Sequence, residues 1–386
     1  MIYWDYNASA PLRPEVAELL SRAFREGAQG NASSVHRAGR DARTRLDAAR
    51  AKVARRLGCE PKEICFTGSG SEGAALALKG GFASRKDASR TRVVTSSIEH
   101  PAVRSAVAQL KAQGAKVTEV PPQADGRVRA EDLLEALGPD VALCSLMWAN
   151  NETGVLQPAA EIARACRKRG ILFHTDAVQA VGKVPVSLRE VDADLLSLSA
   201  HKFGGPAGVG ALVIRRGVEV QALVPGHQEW GRRAGTQSLP LIEGLALALE
   251  LSADAVEPNA SHLSALRDRF EQRVREEIPG VKVNGEGAPR VPNTSNLHFT
   301  GADGEALLIA LDLDGICASS GAACASGSLS PSHVLLAMGL SSSEAFGSVR
   351  FSLGPGTTTD EVEQVVQALR RHVPQAREAA RSSAMG

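Results

Sequence analysis

The first two thirds of the chain alternate between amphipathic segments and short, almost wholly apolar runs. At 14–27, apolar residues recur with helical spacing and a glycine closes the segment, which is the pattern of a capped amphipathic helix. Six apolar runs follow, at 63–66, 92–95, 141–147, 171–174, 195–199 and 210–214. Most of these runs are too continuous for half-exposed strands and are typical of strands covered by helices on both faces. The pattern therefore predicts an α/β unit built on a largely parallel sheet.

The character of the sequence changes after residue 257. Apolar residues at helical spacing mark a long charged helix, and they are Leu263, Leu266, Phe270 and Val274. Strand-like runs follow at 281–283, 295–299 and 349–353. These elements indicate a smaller α+β unit, so we place a domain boundary near residue 256. We expect a large domain at 14–256, and a small domain formed by 1–13 and 257–386 with a mobile cysteine segment at about 319–330.

Composition narrows the classes of protein to consider. A chain of 386 residues with 43% hydrophobic content is long enough to bury a large core in two or three domains. Lys and Arg number 44 against 43 Asp and Glu, so the formal charge of +1 gives no reason to expect nucleic acid or a membrane as partner. No basic segment followed by an apolar stretch begins the chain, and the stretch at 241–251 is interrupted by glutamates. We expect a soluble, cytoplasmic protein.

The six cysteines have no C-x-x-C spacing, which argues against a zinc ribbon or a small disulfide scaffold. Reduced thiols in a cytosolic enzyme fit this distribution better. One of them, Cys324, lies in a small, polar segment that is predicted to be mobile. Cysteines prefer burial, so a thiol in such a segment indicates a function more strongly than Cys65 or Cys144, which lie within apolar runs. A tolerated surface thiol is the alternative.

Two of the apolar runs end in residues that suit pyridoxal phosphate. Lys202 follows the run at 195–199 and precedes a glycine-rich turn, so it is predicted to be an amine held in a pocket and able to form a Schiff base. Asp176 ends the segment that begins at 171, and its carboxylate can keep a pyridinium nitrogen protonated. Taken singly, a solvated lysine and a helix-capping aspartate would be the commoner outcomes. Together they favour the cofactor.

A loop rich in glycine and serine, containing Gly70 and Ser71, lies between a strand-like run and a helical run. A loop that opens a helix presents backbone N–H groups and the positive end of the helix dipole, where phosphate binds well. Such turns are common without any ligand, so the loop alone is weak evidence. Ser199 and His201 flank Lys202 and are predicted to complete the anion cage.

Further polar residues are predicted to contact the cofactor ring or the substrate. The imidazole of His100 suits stacking on the ring and moving protons, although a structural histidine is the commoner outcome. The amides of Asn151 and Gln179 suit donation to the ring's phenolic oxygen, with loop capping as the alternative. Arg350 lies on a strand-like run, and its planar guanidinium suits a substrate carboxylate. A lone arginine is more commonly part of a structural ion pair.

Taken in order, these motifs resemble the cysteine desulfurases of the NifS/IscS type, a branch of the fold-type I pyridoxal phosphate enzymes in the class V aminotransferase family. The resemblance runs from Asp5 to beyond Arg350. The matching segments lie at 30–36, 99–100, 150–154, 174–179, 199–202, 233–236, 319–324 and 350–354. It implies an α/β fold-type I fold with a large, mostly parallel sheet domain and a smaller α+β domain. It also implies a homodimer in which Thr236 reaches the phosphate of the neighbouring subunit's cofactor.

The resemblance also implies a role for each matched residue. Lys202 carries the cofactor and then shuttles protons at the substrate's α carbon, while Asp176 keeps the ring protonated. His100 stacks over the ring and assists proton transfer. The thiolate of Cys324 attacks the sulfur of L-cysteine, which leaves L-alanine and a persulfide on Cys324. The implied substrate contacts are Asn31, His36, Asn151 and Arg350.

The persulfide sulfur is expected to pass to an acceptor protein such as an iron–sulfur scaffold, or into the synthesis of another sulfur-containing cofactor or of tRNA. No resident metal is expected, with at most a transient contact between Cys324 and an iron–sulfur cluster during transfer. Several positions depart from the family's usual residues, and they are Ser71, Ala74, Ala75, Ala207, His227 and Trp230. These departures concern the phosphate site, substrate access and partners. A selenocysteine lyase, another fold-type I lyase and a non-catalytic scaffold homologue stay open as alternatives.

Overall fold

The computed structural model describes residues 1–27, 30–320 and 330–385, the last three by their backbone alone. The strands are β1 (Ile2–Tyr3), β2 (Ile64–Thr67), β3 (Arg92–Ser96), β4 (Lys116–Val120), β5 (Val141–Ser145), β6 (Leu172–Asp176), β7 (Leu195–Ser199), β8 (Gly210–Ile214), β9 (Val281–Val283), β10 (Thr294–Phe299), β11 (Ile316–Cys317) and β12 (Ser348–Ser352).

The helices, in chain order, are α1 (Pro14–Arg25), α2 (Arg37–Leu57), α3 (Gly70–Ala75), α4 (Gly81–Ala83), α5 (Pro101–Ala112), α6 (Ala130–Ala136), α7 (Ala159–Lys168), α8 (Leu188–Val191), α9 (Leu239–Asp254), α10 (Val256–Glu277), α11 (Gly304–Leu313), α12 (His333–Ala337), α13 (Ser342–Phe346) and α14 (Thr359–Met385). A π-helical turn, Leu76–Gly80, joins α3 to α4. None of the helices in the described ranges is both long enough and apolar enough to span a membrane.

A seven-stranded sheet in the order β2-β8-β7-β6-β5-β3-β4 forms the centre of the molecule. The strands from β4 to β7 pair in parallel, and β8 runs antiparallel to both of its neighbours. Every residue of β2, β5, β7 and β8 is buried, which explains why these strands occur in the sequence as continuous apolar runs. The predicted α/β fold with a largely parallel sheet is confirmed.

The edge strand β4 was not predicted. It has only one neighbour in the sheet, and its residues Lys116 and Glu119 are exposed. An edge strand needs no continuous apolar run, because one of its sides faces solvent or loops. The apolar pattern therefore identifies the central strands and the buried edge strand β2, and it misses the exposed edge strand β4.

A second, smaller sheet is antiparallel and has the order β12-β10-β9. The N-terminus joins this part of the chain, because β1 pairs in parallel with β11. Trp4, just after β1, packs edge to face on Phe270 and Phe351, with ring centroids 5.1 and 6.3 Å apart respectively. These rings belong to a hydrophobic cluster separate from the one around the large sheet. The division into domains near residue 256, where α10 begins, stays a prediction.

Candidate active site

The loops that follow β3, β5, β6 and β7 surround a cavity of about 310 Å³. Ligands in open α/β sheets bind outside the carboxyl ends of the strands, which is where this cavity lies. It brings together most of the residues predicted from the sequence, and these are Gly70, Ser71, His100, Asn151, Asp176, Gln179, Ser199, His201, Lys202 and Arg350. The other lining residues are Asn7, Ala8, Ser69, Met147, Ala149 and Val178.

Four predicted site residues are not among those that line the cavity. Asn31, His36 and Thr236 are exposed. His36 caps α2, since its Nδ1 accepts a hydrogen bond of 3.2 Å from the backbone N–H of Gly39. The role predicted for Thr236 concerns a neighbouring subunit, and Cys324 lies outside the described residues. The functions of these four residues stay predictions.

The start of α3 is packed so closely that only glycine fits at two positions, Gly70 in the helix itself and Gly210 in the neighbouring strand. A Cβ added to Gly70 would lie 2.8 Å from Cγ2 of Val178 and 3.1 Å from Cβ of Ser199. A Cβ added to Gly210, at the start of β8, would lie 2.9 Å from the backbone nitrogen of Gly70. Ser69 caps the helix, because its Oγ accepts a 3.1 Å hydrogen bond from the N–H of Glu72. The first N–H groups of α3 have no intrahelical acceptors and suit an anion.

Glu72, in the first turn of α3, connects this loop to a distant segment. Its Oε2 accepts a 2.6 Å hydrogen bond from the N–H of Gly68, and its Oε1 accepts one of 2.8 Å from Nε of Arg233. Arg233 belongs to the segment 233–236 that carries Thr236. The ion pair therefore fixes that segment next to the start of α3. The sequence analysis did not predict this link.

Asp176 and His100 are two titratable residues that line the cavity, and each affects the pKa of the other. The carboxylate of Asp176 is buried at the end of β6, and its Oδ1 accepts a 2.9 Å hydrogen bond from the N–H of Val178. Burial raises the pKa of Asp176, while His100 and Lys202 act in the opposite direction. Burial lowers the pKa of His100, and Lys202 lowers it further against the effect of Asp176. The imidazole is therefore neutral near pH 7.

The tautomer of His100 follows from its position as the cap of α5. Its Nδ1 accepts a 3.1 Å hydrogen bond from the backbone N–H of Ala102. A neutral imidazole that accepts at Nδ1 carries its proton on Nε2. His100 thus offers an N–H donor on the side of the ring that is not used by the helix.

Lys202 ends a short 3₁₀ turn, Ala200–Lys202, that follows β7 directly. Its Nζ donates hydrogen bonds of 2.7 Å to the backbone carbonyls of Asn7 and Ala8. The neighbouring His201 shares a 3.2 Å hydrogen bond with Oγ of Ser9, and burial followed by the charge of Lys202 lowers its pKa to about 4. The N-terminal segment therefore holds the two residues that end the turn.

Arg350, on β12, is part of an ion pair, which is the alternative that the sequence left open for it. It lines the cavity, and its Nη2 forms a 2.8 Å ion pair with Oδ1 of Asp5. Its Nη1 donates a 2.9 Å hydrogen bond to the backbone carbonyl of Asn151. The side chain is 4% exposed, and its Nε has no hydrogen-bond partner among the described residues. An unpaired buried donor costs about 1–3 kcal/mol, which an acceptor from a ligand would recover.

The sequence analysis missed Asn7 and Lys183, both of them buried beside Lys202. Asn7 is 1% exposed, and its backbone carbonyl accepts from Nε2 of Gln179 at 2.9 Å as well as from Lys202. Lys183 donates to side-chain oxygens of Asn7 and Gln179. The only signal for Asn7 was that the family resemblance begins at Asp5, and no pattern singled out Lys183.

The cavity thus offers a helix start for a phosphate, a buried carboxylate for a basic ring nitrogen, and an amine for a carbonyl carbon. Such a set suits an organic cofactor with these three features. The described residues contain no group of three or more His, Cys, Asp or Glu side chains arranged to hold a metal ion. The cysteines among them are free and form no disulfide bonds. Burial raises the pKa of Cys65 to about 12.

Comparisons with known proteins cover almost the whole chain. The family described as aminotransferase class-V matches residues 2–365. A cysteine desulfurase of Cereibacter sphaeroides is 45% identical over 379 residues, which is 97% of this chain and 96% of that protein. A cysteine desulfurase IscS of Clostridium botulinum (strain Kyoto / Type A2) is 42% identical over 381 residues, which is 98% of this chain and 95% of that protein. The solved structure of a NifS-like protein has a TM-score of 0.88 at 35% identity and covers 96% of this chain and 98% of its own.

Proposed function

The chain belongs to the class V aminotransferase family, and we propose that it is a cysteine desulfurase, which converts L-cysteine to L-alanine and takes the sulfur onto one of its own thiols. The family and fold predicted from the sequence are confirmed. The observation that carries the proposal is a cavity that holds Lys202, Asp176 and the glycine start of α3 together, in a chain similar over its whole length to cysteine desulfurases.

We propose pyridoxal phosphate as the cofactor, and three features of the cavity fit it. The start of α3 packs closely on Val178 and Ser199 through Gly70, and its free backbone N–H groups suit the phosphate. Asp176 suits the pyridine nitrogen, and Lys202 suits the aldehyde. The remaining contacts proposed for the cofactor are Ser71, Ser199 and His201 at the phosphate, His100 at the ring face, and Asn151 and Gln179 at the phenolic oxygen. Thr236 is proposed to reach the neighbouring subunit's cofactor.

When bound, this cofactor draws electrons away from the α carbon of an amino acid. Asp176 would support that chemistry by pairing with the pyridine nitrogen; burial raises its pKa, and His100 and Lys202 oppose that effect. The amine of Lys202 accepts and returns the proton of the substrate's α carbon. His100, neutral and with its proton on Nε2, packs against the ring and assists these proton transfers.

Arg350 is proposed to bind the substrate's carboxylate, since its guanidinium is buried in the cavity wall and its Nε is unpaired among the described residues. Asp5 and the carbonyl of Asn151 hold the other nitrogens in position. Asn31, His36 and Asn151 remain proposed as further substrate contacts.

The sulfur transfer is proposed to occur at Cys324. Its thiolate attacks the sulfur of the substrate, the carbon–sulfur bond of cysteine breaks, and protons complete L-alanine. The new sulfur–sulfur bond leaves a persulfide on Cys324. One L-cysteine and one thiol thus give one L-alanine and one persulfide, and the reaction needs no external oxidant. An acceptor protein, or a thiol reductant in the test tube, then removes the outer sulfur. A homodimer, an iron–sulfur scaffold as acceptor and a cytoplasmic location stay predictions.

The experiment that tests the function adds L-cysteine and a thiol reductant to purified protein loaded with pyridoxal phosphate. We expect L-alanine and sulfide in equal amounts over many turnovers. Selenocysteine in a parallel reaction distinguishes a selenocysteine lyase, which would act on it and leave cysteine unchanged. If a protein that holds the cofactor produced neither alanine nor sulfide, that result would overturn the proposal and favour a scaffold homologue.

A further inference from the structure

Lys183 is a buried lysine that the proposed mechanism does not use. It lies four residues after Gln179 and is 9% exposed, while Gln179 is 6% exposed. Its Nζ donates a 2.6 Å hydrogen bond to Oδ1 of Asn7 and another to Oε1 of Gln179. Asn7 is itself fixed by the small sheet, because its Nδ2 donates a 2.9 Å hydrogen bond to Oγ1 of Thr294. Such burial is rare for a lysine and calls for a physical reason.

Lys183 has two hydrogen-bond acceptors among the described residues, Oδ1 of Asn7 and Oε1 of Gln179. The Nζ of a lysine donates N–H groups whether or not it is charged, so both contacts are donations from Lys183. The surroundings disfavour its charged form. Burial, and then the positive charges of Lys202 and Arg350, lower the pKa of Lys183 well below its ordinary value.

Donation by Lys183 decides which way the amide of Gln179 points. Because Oε1 of Gln179 accepts from Lys183, its nitrogen Nε2 is the end that donates to the carbonyl of Asn7, at 2.9 Å. A reversed amide would set Oε1 against that carbonyl, and two acceptors repel each other. Nε2 has two N–H groups, and the carbonyl of Asn7 accepts from one of them. Because Gln179 lines the cavity, the second N–H is left for a ligand there.

We infer that Lys183 is a positioning residue: by donating to Oε1 it holds the amide of Gln179 so that an N–H, and not the oxygen, faces the phenolic oxygen of the cofactor. The inference rests on the proposed function, because the contact between Gln179 and the cofactor is part of it. Lys183 itself touches neither cofactor nor substrate in this account. Its effect passes through Gln179 alone.

The test is the pH titration of the visible absorption of the bound cofactor. A hydrogen bond to the phenolic oxygen makes the cofactor's titrating site less basic, so its loss raises the midpoint. We expect Lys183→Met to raise the midpoint by about one pH unit, which corresponds to one hydrogen bond to a charged group. We also expect the apoprotein to bind pyridoxal phosphate about tenfold more weakly. Lys168→Met, at an exposed lysine of α7, is the matched control and leaves both values unchanged.

A double-mutant cycle separates positioning from a general structural or electrostatic role. Gln179→Met alone raises the midpoint as Lys183→Met does, and adding Lys183→Met to it adds nothing. The double variant has no amide at position 179, so it contains no amide oxygen that has lost its donor. The comparison of Gln179→Met with the double variant therefore stands even if Lys183→Met alone fails to fold. A further rise in the double variant would overturn the inference, as would an unshifted midpoint in Lys183→Met. A wild-type protein without cofactor absorption would instead overturn the proposed cofactor, and the inference with it.

Discussion

The Nζ of Lys202 lies 2.7 Å from the backbone carbonyl of Asn7, a residue 195 positions earlier in the chain. The same N-terminal segment supplies Asp5, which pairs with Arg350 on the small sheet. The lysine and the arginine are therefore held by residues only two positions apart. This arrangement connects the side of the cavity proposed for the cofactor with the side proposed for the substrate, and it explains why the N-terminal segment matters to a site built on the large sheet.

Lys202→Ala removes the amine that is proposed to bind the cofactor. We expect the variant to fold and to lose the visible absorption that pyridoxal phosphate shows when it is bound through a lysine. The absorbance spectrum after incubation with the cofactor and desalting is the measurement. Lys168→Ala, at an exposed lysine, serves as control and keeps the wild-type spectrum. A wild-type spectrum from Lys202→Ala would show that another group binds the cofactor.

Gly70→Ala places a methyl group against the side chains that pack on the loop proposed to bind the phosphate. The added Cβ lies 2.8 Å from Val178 and 3.1 Å from Ser199, so the loop must shift. We expect about tenfold weaker binding of pyridoxal phosphate, since one misplaced hydrogen bond to an anion costs about 1.5–3 kcal/mol. Titration of the apoprotein measures this change. Gly356→Ala is the control, because no atom lies within 4 Å of its added Cβ, and equal effects of the two variants would contradict the account.

Arg350→Lys keeps the positive charge and removes the planar guanidinium. We expect the visible absorption of the cofactor to remain and the KM for L-cysteine to rise about 10- to 100-fold, because a lysine cannot bind Asp5, Asn151 and a carboxylate at once. Steady-state kinetics with the absorbance spectrum measure both. Arg290→Lys breaks a similar buried ion pair, with Glu271, away from the cavity and leaves KM unchanged. An unchanged KM in Arg350→Lys would exclude the proposed substrate contact.

Much of the fold could be predicted from the sequence, because strands covered on both faces leave continuous apolar runs. The edge strand β4 left none, and it was missed. Most of the residues that line the cavity could also be predicted, since Asp176 ends such a strand and Lys202 lies three positions after another ends. Asn7 and Lys183 could not, because their importance depends on contacts between segments 172 to 195 positions apart. A single sequence does not show which buried amide meets which buried amine.

The buried carboxyl group of Glu99 gives a prediction about stability. Burial raises its pKa from 4.5 to about 8 against the effect of hydrogen bonds from Ser96 and Met147. In the folded state Glu99 therefore keeps its proton between these two pH values, while in the unfolded state it loses it. Its contribution to stability is complete below pH 4.5 and is lost as the pH rises toward 8, at no more than about 1.4 kcal/mol per pH unit.

Glu99→Gln is neutral at every pH and lacks this dependence. We expect the stability of the wild type relative to Glu99→Gln to fall from pH 5 to pH 8, measured by urea unfolding at several pH values. Glu119→Gln, at an exposed position of β4, provides the control for the loss of one carboxylate. A difference between wild type and Glu99→Gln that is constant across this range would show that Glu99 is ionised in the folded protein.

The measurement that tests the central claim most directly compares wild type with Cys324→Ser, both loaded with pyridoxal phosphate and given L-cysteine and a thiol reductant. Lys202 and Asp176 are unchanged in the variant, so both proteins are expected to show the visible absorption of the cofactor and its change when cysteine binds. Only the wild type is expected to release sulfide and alanine. Sulfide release by Cys324→Ser at the wild-type rate would contradict the proposal that Cys324 takes the sulfur.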